Sequence, residues 1–236
     1  MAWHLKLGHL PFGVIQNAAR LGILPNRLAH IKDHPKCPSC LYGAAHRRSW
    51  RTGKKHAHLK EAKAPGDVIS VDQLESSAPG FIAQEKMNIR FKLTKQRFQA
   101  ATVFVDHYSR LSYVHVHKST GGDEAVEAKE AFEAFAAQRG VYVKHYHGDN
   151  GIFKCDKWIQ HCQKRKQTYT FCGADSHHQN GIAEHRIRTL VDSARTQLLH
   201  AITHNPKVIS PNLWPYALKH ANYLFNALPR TGNDHS

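Results

Sequence analysis

The chain has 236 residues, enough for one hydrophobic core and a small second domain. Its 33 lysines and arginines against 18 acidic residues give a formal net charge of +15, which disfavours a cationic partner and favours an acidic one such as nucleic acid. No run of eighteen apolar residues is present, so no membrane span is expected. The odd number of cysteines, five, predicts reduced thiols in an intracellular protein.

The positive charge is concentrated in the N-terminal quarter of the chain. Residues 1–63 carry twelve lysines and arginines against two acids, a net charge of +10, whereas the remaining 173 residues have a net charge of only +5. An even distribution would suit a merely soluble basic protein. The uneven one predicts a surface that binds a polyanion.

Two ligand pairs of the kind that binds zinc lie within the first forty residues. His4 and His9 are separated by four residues, and Cys37 and Cys40 by two. Zinc takes four nitrogen or sulfur ligands in a tetrahedron, and a short pair on each side of a small loop supplies them. A segment this short has little core of its own, so a bound metal would contribute much of its folding free energy.

The residues between the two ligand pairs predict a short amphipathic helix that begins near Phe12 and ends near Gly22. His30 and His34 flank the cysteines and could substitute as ligands. Because the chain contains 20 histidines, two of them could also occur at this spacing by chance, which is the simpler alternative to a zinc site. The Cys-x-x-Cys motif at this distance from a histidine pair favours zinc.

A basic linker is predicted after the cysteine pair. Its cations are interleaved with glycine and histidine, and it ends at Pro65-Gly66. Such a segment is either a solvated tether or an arm that follows a nucleic-acid backbone, whose binding would weaken steeply with salt. The linker residues predicted to contact phosphates are Arg47, Arg48, Arg51, Lys54 and Lys55.

From residue 67 onward the pattern predicts an α/β domain, in which a mixed sheet is flanked by helices. Residues 76–97 are polar and predict an irregular insertion or a long hairpin, and Gly140 is predicted to end the first helix. Strands are expected at 67–74, 98–105, 111–117, 141–147 and 168–172, and helices at 121–139, 156–166, from the turn at 177–181 to residue 201, and at 213–228.

Three carboxylates occupy positions from which they could converge. Asp72 lies near the end of the first predicted strand, Asp149 in the turn after the fourth, and Glu184 in the early turns of a helix. Together they could bind two Mg²⁺ ions, which prefer oxygen ligands and can stabilise the attacking and leaving oxygens of a phosphoryl transfer. The alternative for Glu184 is a surface ion pair with Arg188 at i+4.

The ordered motifs resemble the integrase of copia-type LTR retrotransposons, and the resemblance covers almost the whole chain. Glu184 follows Asp149 by 35 positions, close to the spacing of retroviral-type integrases. The motifs that carry the resemblance are the His4, His9, Cys37 and Cys40 quartet, Val-Asp72-Gln, Phe-Val-Asp-His-Tyr-Ser-Arg110, Gly-Asp149-Asn-Gly and Gln-Asn-Gly-Ile-Ala-Glu184.

The resemblance implies a zinc-binding pre-integrase domain at residues 1–46, a basic linker at 47–66, an RNase H-like catalytic core at 67–205 and a helical extension at 206–236. It also implies that Asp72, Asp149 and Glu184 form a metal-binding acidic triad. The interval from Asp72 to Asp149 is long for the family, and Asp106 is an alternative candidate for the first acid of the triad. Asp106 lies in a predicted hairpin turn, where a polar residue is ordinary, so Asp72 is favoured.

The expected function is that of a Mg²⁺- or Mn²⁺-dependent integrase that joins the 3′ ends of element cDNA to target DNA. A homo-oligomer assembled on DNA is implied, in the nucleus and in cytoplasmic virus-like particles. Reverse transcriptase and ribonuclease segments are absent, so we expect an excised piece or a fragment of a decayed element. Further residues predicted to contact DNA are His177, His178, Gln179, Asn180, Arg186 and Arg188.

Two alternatives remain open. The chain could be a zinc-stabilised nucleic-acid-binding remnant without turnover, for which the zinc segment and the basic linker would suffice. It could also be an RNase H-like nuclease or a cut-and-paste transposase, although the histidine and cysteine quartet disfavours that reading.

Overall fold

The computed structural model describes residues 1–45, 62–81, 97–172 and 180–228. The chain forms two compact units. The helical unit comprises Met1–Arg48 and Thr189–Ser236, and the sheet unit comprises Ser49–Arg188. The long helix α6, Gly181–His204, contributes residues to both. The predicted domain boundaries at residues 46, 66 and 205 remain predictions.

The sheet unit is built on five strands in the order β3-β2-β1-β4-β5. β1 pairs antiparallel with β2, and β2 with β3, whereas β4 runs parallel to β1 and β5 parallel to β4. The predicted mixed α/β sheet is therefore confirmed, in the RNase H-like arrangement. The strands are β1 at Ile69–Gly80, β2 at Phe98–Asp106, β3 at Ser112–His117, β4 at His145–Gly148 and β5 at Thr168–Phe171.

Helices α4, Gly122–Ala137, and α5, Asp156–Lys164, contribute to the main core of the sheet unit. The rings of Phe104 and Phe132 stack with their centroids 4.6 Å apart. Burying one such side chain contributes roughly 1.5–3 kcal/mol. The predicted helix stop is confirmed, because Gly140 follows α4 with a φ of +71°, a conformation that glycine adopts without strain.

Two strand predictions were wrong at their ends. Residues 76–80 continue β1 to Gly80, which pairs with Phe98 across an irregularity in the register. This part of the strand alternates between exposed and partly buried residues, so it carries no hydrophobic signal. Residues 141–144 were predicted to begin β4, which starts at His145. Instead the amide of Lys144 donates to the carbonyl of Gly66.

The helical unit is organised around a small apolar cluster formed by Leu10, Ile15, Ala19, Leu28 and Ala29. The predicted helix between the ligand pairs is present as α2, and Gly22 follows it with a φ of +75°.

Across the described residues, no helix is both long and apolar enough to cross a membrane. The helices are α1 at Ala2–Lys6, α2 at Phe12–Arg20, α3 at Pro38–Gly43 and α7 at Trp214–Ala227, with a 3-10 helix at Asn26–His30.

A buried lysine on α4 is hydrogen-bonded to α5 and to the residue just before β5. Lys129 is fully buried on α4, and its ammonium donates to Glu133, to His161 and to Gln167 at 2.7, 2.8 and 2.6 Å. Burial raises the pKa of Glu133, but the hydrogen bonds from Lys129, Gln167 and Tyr146 outweigh it and hold that pKa below its ordinary value. The charge pair is thus stabilised by several hydrogen bonds.

Replacing Lys129 by alanine should lower the free energy of unfolding by about 3–5 kcal/mol. It removes the cation hydrogen-bonded to the mostly buried Glu133 carboxylate and leaves that carboxylate to Arg165, whose partly exposed Nε lies 3.8 Å away. The double variant Lys129→Met, Glu133→Leu removes both charges and should recover most of that loss. Urea unfolding followed by circular dichroism measures both. A single variant as stable as the wild type would contradict the buried pairing.

Candidate functional site

The parallel pairing of β1 and β4 brings two aspartates level with each other. Ile69 pairs with Tyr146 and Ser70 with His147, so two further positions along each chain lead to Asp72 and Asp149. Neighbouring strands lie roughly 4.8 Å apart. Asp72 was predicted near the end of its strand, but β1 continues beyond it to Gly80. It is β4 that ends here, at Gly148, just before Asp149.

Close packing fixes the chain just before Asp149. A Cβ on Gly148 would lie 3.1 Å from Val71 Cγ1 and 3.2 Å from Phe153 Cδ2, so a side chain would press on both neighbours. A Cβ on Gly151 would lie 3.0 Å from Asp149 Oδ2. The two glycines therefore permit the tight turn that carries the Asp149 carboxylate.

A hydrogen bond joins the residue just before α6 to β1, next to Asp72. Asn180 is 2% exposed, and its Nδ2 donates to the carbonyl of Val71 at 2.9 Å. Ala183 is fully buried, whereas Glu184 is only partly buried. The hydrogen bond ties the start of the helix to the residue before Asp72, so that Glu184 follows one turn later.

Cys172 marks the convergence of the three carboxylates. Burial raises the pKa of its thiol, and the negative charges of Asp149, Glu184 and Asp72 raise it further. Its amide donates to the carbonyl of Gly148 at 3.0 Å. All three acids therefore lie close enough to this thiol, just after the end of β5, for their charges to act on it. The sequence predicted only an ordinary thiol here, because the proximity depends on the pairing of distant strands.

The three carboxylates are not drawn together as tightly as the ligands of a single ion. Each residue is partly buried. Among the described residues, the histidine and cysteine quartet is the group whose ligand atoms approach closely enough to share one metal. Neighbouring carboxylates repel each other, and divalent cations would offset that repulsion.

Asp106, the alternative candidate for the first acid of the triad, has both carboxylate oxygens hydrogen-bonded within the protein. It is 4% exposed, and its Oδ1 accepts a hydrogen bond from the amide of Gly66 at 3.0 Å. Its Oδ2 accepts from the amide of Ser109 at 2.7 Å and also from the Ser109 hydroxyl. With Oδ1 bonded to the amide of Gly66 and Oδ2 bonded to its own turn, Asp106 fits a structural role, as its sequence position suggested.

The quartet has the spacing of a tetrahedral zinc site. Its ligand atoms all lie within 4.8 Å of one another. His9 Nδ1 lies 3.4 Å from Cys37 Sγ and 3.6 Å from Cys40 Sγ, and His4 Nε2 lies 3.3 Å from Cys40 Sγ. In a tetrahedron with ordinary zinc bond lengths, the nitrogen-to-sulfur separation is about 3.6 Å. The donor set and its spacing fit zinc.

The protonation chemistry of the quartet also suits a cation. His4 Nδ1 lies 2.8 Å from the carbonyl of Leu10, an acceptor that leaves Nε2 for a metal. Burial, together with His200 and His4, lowers the pKa of His9 to about 4, so its ring is neutral. Burial and the neighbouring Cys37 raise the pKa of Cys40 to about 12. A bound cation would therefore have to stabilise the thiolate.

The two substitute ligands and the predicted DNA contacts lie elsewhere. His30 and His34 are exposed and outside the quartet. Arg186 is 7% exposed and donates to the carbonyl of Arg110 at 2.9 Å and to Ser112 Oγ at 2.7 Å, which suits fastening α6 to the β2–β3 turn rather than binding phosphate. Asn180 is buried as described above, and Arg188 is exposed. The other predicted contacts lie outside the described residues: Arg47, Arg48, Arg51, Lys54, Lys55, His177, His178 and Gln179.

Similarity to known proteins agrees with the motifs. No family model matches the chain. It is 24% identical over 231 residues to the retrovirus-related Pol polyprotein from transposon TNT 1-94 of Nicotiana tabacum, covering 96% of this chain. It is 27% identical over 232 residues to that from transposon RE1 of Arabidopsis thaliana, covering 97% of this chain. The chain is related to retrotransposon Pol polyproteins. It spans 15% and 14% of the lengths of these two relatives.

A solved structure agrees with the fold of this retrotransposon-related chain. A chain of the cryo-EM structure of the simian T-cell lymphotropic virus intasome, in complex with PP2A regulatory subunit B56 gamma, aligns with a TM-score of 0.55 at 16% identity. The alignment covers 93% of this chain and 67% of that one. The alignment agrees with the fold that the motifs predict.

The packing at Gly148 can be tested by adding one methyl group. Gly148→Ala should cost about 1–3 kcal/mol of unfolding free energy, because the new Cβ presses on Val71 and Phe153. Gly181→Ala is the matched control, since a Cβ there meets nothing within 4 Å. Thermal unfolding of both variants measures the difference. Equal stability of the two would contradict the packing that carries Asp149.

Proposed function

We propose that this chain is the integrase segment of a retrotransposon polyprotein, a metal-dependent polynucleotidyl transferase that joins cDNA 3′ ends to target DNA. The observation that carries the proposal is the placement of Asp72 on β1, of Asp149 just after the neighbouring parallel strand β4, and of Glu184 in the first turn of α6. Relatives among retrotransposon Pol polyproteins support it.

The three carboxylates offer hard oxygen ligands suited to Mg²⁺ or Mn²⁺. When bound there, such ions supply the positive charge that stabilises the attacking and leaving oxygens of an in-line phosphoryl displacement. The chain's own part is to hold the ligands. Asn180 anchors the helix that carries Glu184, and Gly148 and Gly151 shape the turn that carries Asp149.

In the proposed reaction, the 3′-hydroxyl of the cDNA attacks a phosphodiester of the target DNA. A new 3′-oxygen-to-phosphorus bond forms, and the bond from that phosphorus to the target's own 3′ oxygen breaks. The attacking hydroxyl loses its proton, and the released target end gains one. Neither bond involves a protein atom, so the chain needs no nucleophilic side chain of its own.

The remaining proposed parts serve DNA binding and assembly. We propose that the His4, His9, Cys37 and Cys40 quartet holds structural zinc, on the strength of its spacing and donor chemistry. The strongly basic N-terminal quarter and the exposed Arg188 would contact phosphates. A homo-oligomer on DNA, acting in the nucleus after assembly in the cytoplasm, is part of the same proposal.

A second candidate function is a zinc-stabilised nucleic-acid-binding remnant without turnover. One observation favours it. Among the described residues, the quartet is gathered to metal-binding distance, whereas the three carboxylates are not. The zinc centre and the basic charge would suffice for binding, and neither depends on the acids.

Glu184→Gln separates the two candidates. The change removes a negative ligand with little change of shape, so joining of labelled cDNA ends to plasmid DNA in Mg²⁺ or Mn²⁺ should fall by at least about 10²-fold. Salt-dependent DNA binding and the melting temperature should change little. The matched control is Glu127→Gln, whose carboxylate is exposed on α4 and should leave joining unchanged.

A wild-type protein that binds DNA but joins no ends, with binding unaffected by the substitution, would favour the remnant over the integrase. A Glu184→Gln variant that fails to fold would instead assign this residue a structural role.

A further inference from the structure

The two histidines of the quartet differ in what their second ring nitrogen contacts. His4 Nδ1 has the carbonyl of Leu10 at 2.8 Å. His9 Nε2 is buried, and no hydrogen-bond partner for it exists among the described residues. Histidines that bind a metal almost always donate the other N–H to a carbonyl, a carboxylate or a water, which fixes the ring and its tautomer. In the part of the chain that the structure describes, His9 lacks such a partner.

The tautomer of His9 follows from which nitrogen faces the cysteines. Nδ1 lies 3.4 Å from Cys37 Sγ and 3.6 Å from Cys40 Sγ, so Nδ1 is the atom presented to a metal. A neutral imidazole that gives Nδ1 to a metal carries its proton on Nε2. The buried Nε2–H therefore needs an acceptor.

Besides His4, the ring of His9 meets a second histidine ring, which belongs to α6. The rings of His9 and His200 meet edge to face, with centroids 4.7 Å apart and planes inclined by 67°. A turn of the His200 ring about its Cβ–Cγ bond would direct one of its nitrogens to the His9 Nε2–H. The second nitrogen of His200 would then carry the proton, so both rings stay neutral.

The segment of α6 around His200 is held against both ligand pairs. A Cβ on Gly43, which follows Cys40 on α3, would lie 2.7 Å from the Cα of Thr196. A Cβ on Gly8, which precedes His9, would lie 3.2 Å from Nε2 of Gln197. Because the helix packs this closely on both sides of the quartet, the side chain one turn further along stays beside His9.

We propose that His200 is a positioning residue of the zinc centre, which accepts the Nε2–H of His9 and thereby holds Nδ1 toward the metal. The inference rests on the proposed zinc site and extends it to a residue 160 positions beyond the last ligand. The ring of His204, the next histidine along α6, is tilted by 38° against that of His200 with centroids 4.2 Å apart, and its Nδ1 lies 2.8 Å from the carbonyl of His200. It serves as the natural control.

The test is the zinc affinity of the full chain, measured by competition with a chromophoric chelator, with Co²⁺ absorption as a readout of ligand geometry. His200→Phe keeps a ring against His9 but removes the acceptor, and it should bind zinc about 10–100-fold more weakly. His200→Gln keeps an acceptor and should remain within a few-fold of the wild type. His204→Ala should match the wild type.

A His200→Phe variant that binds zinc as tightly as the wild type would overturn the inference, and so would a His200→Gln variant as weak as the phenylalanine one. If His200→Phe does not fold at saturating zinc, His200→Ala against His200→Gln gives the same comparison. A wild-type chain that binds no zinc would instead overturn the zinc site itself, which keeps the two failures apart.

Discussion

The parallel register between β1 and β4 is the constraint on which the proposed active site depends. Continued two positions beyond the paired residues, it sets Asp72 on β1 level with Asp149 just after β4, although 77 positions separate them in the sequence. The packing at Gly148 and the hydrogen bond of Asn180 both depend on that pairing. Gly148 leaves room for Val71 beside it, and Asn180 bonds to the Val71 carbonyl, which brings the helix of Glu184 to the same edge. A shift of the register by one residue would turn one of the two aspartates to the opposite face of the sheet.

The two candidate metal centres differ in burial and in how strongly their ligands require a bound cation. The carboxylates are partly exposed and spaced apart, so hydration and distance limit their repulsion until cations bind. The quartet is more buried, and the raised pKa of Cys40 means that its thiolate requires a cation. The first arrangement suits exchangeable hard ions that take part in chemistry, and the second suits a permanently held zinc ion.

The sequence predicted what depends on local pattern. Buried apolar runs gave β2 and β3 nearly to the residue, Gly140 gave the end of α4, and the motifs gave the four residues that the structure gathers into the quartet. What it could not predict depends on partners far along the chain. Arg186 looked like a phosphate contact, but it bonds to Arg110 and Ser112, more than seventy positions away. The nearness of Cys172 to the acids and the end of β1 at Gly80 are likewise set by the sheet.

Anomalous diffraction from crystals of the full chain grown with Mn²⁺ tests the central claim most directly. The account predicts anomalous density for Mn²⁺ between Asp72, Asp149 and Glu184, with the three carboxylates drawn closer together than they are without the ion. Mn²⁺ bound elsewhere on the chain, with no density among these three side chains, would contradict it.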